Sequence, residues 1–187
     1  METDSALIER SARGRPDAFV EVVRRHEAAV HGFLARRAGR QAADDLLGEV
    51  WVRAFAGRAG FDPAYADARP WLYGIARNVL RVHWRAARAA DRPADRLAED
   101  PWDEVIDRLD SAAAARAREL AGAVRALPRE EREVLLLVAW EQLTPAQAGV
   151  ALGIPAGTAR SRLHRARAAL RPVLAGTAAG AAGEEGP

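Results

Sequence analysis

The 187 residues hold 28 basic and 26 acidic side chains, a formal charge of +2, with 49% hydrophobic and 29% charged residues. That is a folding composition with room for one medium domain or two small ones. The absence of Cys excludes disulfides, thiolate catalysis and Cys-based zinc sites, and the longest apolar run, Val134 to Trp140, is too short for a bilayer, so no membrane insertion is expected.

Every basic residue is Arg, beside 44 Ala, as a GC-rich coding bias would produce, so the position of the charge is more informative than its chemical type. The opening METDSALIER carries acids where a signal peptide needs a basic n-region, which predicts a cytoplasmic protein. His26 and His31 would point roughly 140° apart on a helix, so no metal site is predicted.

Residues 17–38 predict a helix, with Phe19, Val22, Val23, His26, Val30, Phe33 and Leu34 on one buried face. A second helix is predicted from Gln41 to Arg58, with Ala43, Leu47, Val50 and Ala54 inward. Residues 59–68 read as a loop with exposed rings, and 69–90 as a long helix. Residues 91–110 hold eight acids against three Arg, a net of −5, with two prolines, which marks a linker. Helices are then predicted over 111–127 and 129–141. A short helix follows from Thr144 or Pro145, then a turn at Gly153, then a longer helix over 156–174. The tail, 175–187, is low in complexity and predicted disordered. With no strand pattern and no repeat, the expected fold is all-α: two small helical domains joined by an acidic linker, the second containing a helix-turn-helix.

Three faces carry chemistry. On the 69–90 helix, Arg77, Arg81, Arg85 and Arg88 fall within roughly 80°, opposite Leu72, Ile75, Val79, Val82 and Ala86, with Tyr73 and Trp84 flanking. A face with Arg, aromatics and no acid suits phosphates and bases rather than plain solvation. On the 156–174 helix, the stripe Ala159, Leu163, Ala166, Leu170 and Val173 turns Arg160, Ser161, His164, Arg165 and Ala168 outward, as in a helix-turn-helix that reads the major groove. On the 41–58 helix, Asp45 and Glu49 share an outward face with Gly48 and Val52. Acid–base work, metal ligation, protein docking and plain solvation all remain open for it, and solvation is the default.

The stretch RPWLYGIARNVLRVHWR, 69–85, resembles the promoter-melting helix of extracytoplasmic-function sigma factors, and ADDLLGEVWVRAF, 43–55, resembles their polymerase-binding helix. Residues 127–170 are similar to that family's minus-thirty-five-reading domain. Gln147-Ala148-Gly149 stand where an acidic residue, Ile and Ala are usual, and Arg77 occupies a variable slot.

The resemblance implies a dissociable initiation subunit, not an enzyme, with no catalytic residue, metal or cofactor. Its implied partners are core RNA polymerase, promoter DNA and an anti-sigma factor. It assigns 5–92 to polymerase binding and minus-ten melting, 93–111 to the linker, 112–174 to upstream recognition and 175–187 to the tail. Asp45, Glu49 and Val52 would meet polymerase. Phe61, Trp71, Tyr73 and Asn78 would line the capture site for unpaired minus-ten bases, with Arg77, Arg81, Trp84 and Arg85 on the same strand. Thr158, Arg160, Ser161, His164 and Arg165 would read the upstream element, and Arg171 would contact a phosphate. A stand-alone helix-turn-helix regulator is the alternative, though such proteins usually dimerise on palindromic half-sites and no dimer seam is evident. A metal nuclease built on Asp44, Asp45 and Glu49 would need further ligands.

Overall fold

The computed structural model describes residues 2–89 and 111–181; the acidic segment read as a linker and the last six residues lie outside them. The chain divides into two compact units, one holding α1 (Asp4–Ala12), α2 (Ala18–Ala38), α3 (Arg40–Gly57) and α4 (Arg69–Ala89). The other holds α5 (Ser111–Ala126), α6 (Arg129–Ala139), α8 (Ala156–Ala181) and most of α7 (Pro145–Leu152). Among the described residues there is no strand, and no helix is long and apolar enough to cross a membrane.

In the first unit α2 packs on α1, α3 and α4. Val22, Val30 and Leu34 of α2, Val50 of α3, and Leu72 and Leu80 of α4 are fully buried, and each such side chain stabilises by about 1.5–3 kcal/mol relative to exposure. On α3 the inward residue is Leu46 rather than Leu47, which stays half-buried beside Ala43, Val50 and Ala54.

Helix α1 is an addition to the sequence reading, which placed no helix before residue 17. Thr3 caps it by accepting the Ala6 N–H, Asp4 sits in its first turn, and Leu7 and Ile8 are buried. A deeper anchor is the buried Asp4 carboxylate. Its Oδ2 accepts from His26 Nε2 at 2.7 Å and from the Ala68 N–H at 3.1 Å, and its Oδ1 accepts from Arg25 Nη1 at 3.0 Å. One side chain thereby ties α1 to α2 and to the chain entering α4. Burial pushes the Asp4 carboxyl up, but the His26, Ala68 and Arg25 hydrogen bonds outweigh it and hold the pKa at about 2.

In the second unit Val124 of α5 and Leu127 just beyond its end pack on Ala166 and Leu170 of α8, with Leu120, Leu135 and Leu136 around them. Helix α6 ends at Ala139, two residues short of the predicted Glu141, because Gln142 takes a left-handed φ of 54° and Leu143 N–H turns back to Leu137 O. A capping box opens α7: Thr144 Oγ1 accepts the Gln147 N–H at 3.2 Å, and Gln147 Oε1 accepts the Thr144 N–H at 2.8 Å. Gly153, at φ 67°, makes the turn into α8, and Gly149 lies so close beneath it that a Cβ would stand 2.9 Å from Ile154 O. Helix α8 then runs to Ala181, seven residues past the predicted end. The high helix propensity of Ala carries it through a stretch read as disordered tail.

Two expectations follow. Gly149→Ala should destabilise the second unit by about 1–3 kcal/mol, since the obstructing atom is backbone, read as a lower melting temperature by circular dichroism. The Asp4 pKa is depressed from 3.8 to about 2, so its contribution is complete above pH 4 and lost as pH falls toward 2. Asp4→Asn should therefore cost about 2 kcal/mol in urea unfolding at neutral pH, and the deficit should shrink on acidification.

Candidate nucleic-acid interface

Helix α4 begins where Asp67 Oδ1 accepts the Arg69 N–H at 2.9 Å and Asp67 Oδ2 accepts from Arg69 Nη2 at 2.8 Å. The buried side of α4 is Leu72, Tyr73, Ala76, Val79 and Leu80. Relative to the predicted stripe the helix is rotated, so Val82 and Ala86 face solvent. The rotation leaves Asn78, Arg81 and Arg85 exposed, with Arg77, Trp71 and Trp84 half-buried at the edges; the Arg88 side chain lies outside the described residues.

Two of the rings expected on this face are core residues instead. Tyr73 is 2% exposed and its ring packs 5.0 Å from that of Phe33. Phe61, expected to be exposed in its loop, is buried edge-on against Trp71 at 5.2 Å. Both are corrections with one cause: a small helical unit has few large side chains with which to fill its core, and these rings are consumed there. Tyr65 is the loop ring left exposed.

On α8, Ala159, Leu163, Ala166 and Leu170 are buried, with Val173 half-buried. Arg160, Ser161, His164, Arg165, Arg167 and Arg171 are exposed and Thr158 is half-buried. The Ser161 hydroxyl donates to Thr158 O at 3.0 Å. The acid-free reading of this region misses its neighbour, for α6 supplies acids that pair with α8. Glu130 pairs with Arg162, and Glu131 Oε1 accepts from Arg165 Nε at 2.6 Å. The adjacent carboxylates were visible in the sequence, but which helix they would face was not.

On α3, Asp45, Gly48, Glu49 and Val52 are exposed, Val52 at 66%. Glu49 accepts from Arg53 Nε one turn on, at 2.6 Å. Asp44, across from α2, pairs with His31 Nε2 at 3.0 Å. Elsewhere, Asp4, His26 and Asp67 bring possible ligand atoms within 4.8 Å of one another. Their oxygens are already held by Arg25, His26, Ala68 and Arg69, so the chemistry is that of an ion-pair network rather than a metal cage.

Tyr73→Ala should cost about 3–5 kcal/mol of stability in the first unit, measured by urea unfolding, as truncation of a buried ring does. A base-stacking role alone would leave stability unchanged.

A family model described as Sigma-70 region 2 matches residues 22–90, and one described as Sigma-70, region 4 matches residues 117–170. The chain is 33% identical over 168 residues to the RNA polymerase sigma factor CarQ of Myxococcus xanthus, covering 89% of this chain and 95% of that one. It is 32% identical over 169 residues to the extracytoplasmic-function (ECF) RNA polymerase sigma factor SigC of Mycobacterium tuberculosis, covering 90% of each. Among solved structures it resembles CnrH in complex with the cytosolic domain of CnrY, with a TM-score of 0.61 and 27% identity over 92% of this chain and 97% of that one. The fold is shared with the sigma factor RpoE of Bartonella quintana, solved with the anti-sigma factor NepR, at a TM-score of 0.56 and 21% identity over 83% of this chain and 96% of that one. Two family segments in order, with full-length relatives above 30% identity, carry one conclusion: the chain belongs to the extracytoplasmic-function family of RNA polymerase sigma factors.

Proposed function

We propose that the protein is a dissociable initiation subunit, acting in the cytoplasm and without catalysis of its own, that docks on core RNA polymerase through α3 and meets promoter DNA through α4 and α8. The observation that carries this is the pairing, in one chain, of two different basic helix faces, each turned away from its own apolar core. Asp45, Glu49 and Val52 form the polymerase contact, combining charge with exposed apolar area. Asn78, Arg81 and Arg85, with Trp71, Arg77 and Trp84 at the rim, take the minus-ten strand once it is unpaired. Unstacking a base costs a few kcal/mol, which contacts to rings and guanidinium groups offset. Thr158, Arg160, Ser161, His164 and Arg165 read the upstream element, and Arg171 holds a phosphate.

The working division is 5–92 for polymerase binding and melting, 93–111 for the connecting segment, 112–174 for upstream reading and 175–187 for the tail. An anti-sigma factor is the proposed inhibitory partner, by analogy with the complexes of CnrH and the Bartonella quintana factor.

Run-off transcription with core polymerase tests the proposal. The wild-type chain should give a discrete transcript from promoter DNA. Asp45→Arg combined with Glu49→Arg should abolish both the transcript and co-purification with core enzyme while the helical signal persists. DNA binding without any dependence on core polymerase would mark a stand-alone regulator instead.

A further inference from the structure

The cations of α8 are held in two different ways. Arg162 donates through Nη2 to Glu130, and its side chain is only 19% exposed, so it serves to join α6 to α8. Arg165, about one turn along, is 57% exposed, and it donates through Nε to a Glu131 side chain that is itself 14% exposed. An Nε contact fixes the plane of a guanidinium while leaving the Nη1–Nη2 edge unspent. That edge is the fork that fits O6 and N7 of a guanine. A carboxylate packed into the α6–α8 junction has little freedom, so the arginine it grips loses much of its own.

We propose that Glu131 is a positioning residue for base reading. By holding Arg165 at Nε it sets the guanidinium fork before DNA arrives, so less side-chain freedom is lost when the base contact forms. The proposal rests on α8 being the helix that reads the upstream element. It opposes the simplest electrostatic account, in which a carboxylate near the groove merely repels phosphates and its removal strengthens binding to every duplex alike.

The test uses holoenzyme assembled from the full chain and core polymerase. Duplexes are selected from a pool randomised across the upstream element, and the variants are Glu131→Ala, Glu131→Met, Glu131→Gln, Arg165→Ala and the Glu131→Ala/Arg165→Ala double. Met keeps the length and packing of the Glu131 stem without accepting a hydrogen bond, and so controls for misfolding; Gln keeps the acceptor without the charge. Glu131→Ala and Glu131→Met should weaken binding to the selected duplex by about tenfold and flatten preference at the base pair Arg165 reads. Binding to a scrambled upstream duplex should stay equal or rise. Glu131→Gln should keep most of the preference, and in the Arg165→Ala background removal of Glu131 should change preference no further. If Arg165→Ala relaxes preference but Glu131→Met leaves it intact or sharpens it, the positioning role is overturned. If Arg165→Ala itself leaves preference intact, the assignment of α8 as the reading helix fails before any question of Glu131.

Discussion

A single buried carboxylate organises the first unit. Asp4 stands on α1 and accepts hydrogen bonds from Arg25 and His26 on α2 and from the backbone of Ala68, the residue just before α4. An unpaired carboxylate in that position would be costly, whereas one with three donors is a strong geometric constraint. Asp67 adds the cap on Arg69, so the first turn of α4 is pinned by two acids at once. The rotation of α4 about its own axis, and therefore which residues it offers outward, depends on that pinning.

The rotation explains why some of the candidate site was legible in the sequence and some was not. Helical periodicity located α2, α3 and α4 to within a residue or two and placed Arg81 and Arg85 on an outward face. It could not decide between two adjacent apolar stripes on α4. Of the predicted stripe, Leu72 and Val79 are buried but Val82 and Ala86 are not, and burial runs instead through Tyr73, Ala76 and Leu80, because the Tyr73 ring fills space beside Phe33. Such a preference arises from the shape of the partner helices. Helix α1 was missed for a related reason: Thr3, Asp4, Leu7 and Ile8 form a legible cap and face, but a short segment with few apolar residues gains its stability from the tertiary anchor rather than from periodicity.

The second unit shows the same limit for charge. Counting signs along residues 142–174 returns only Arg, yet Glu130 and Glu131 reach across from α6 to Arg162 and Arg165. Local signals fared better where the interaction itself is local. Thr144 and Pro145 announce the start of α7, and Gln147 completes the cap with its amide in place of the usual acid. Gly149, a departure from the family pattern, fits an approach to Ile154 O that a methyl group would obstruct.

The outward faces of α4 and α8 have one further property. Their exposed cations, Arg81, Arg85, Arg160, Arg165, Arg167 and Arg171, are all guanidinium groups, and the whole chain contains no lysine. A guanidinium remains protonated at any pH a cell reaches, and methylation leaves its charge in place. Amine acylation, which neutralises lysines on many nucleic-acid-binding surfaces, has no target here. The charge these arginines carry is therefore constant, and a partner that covers or uncovers them changes access rather than charge.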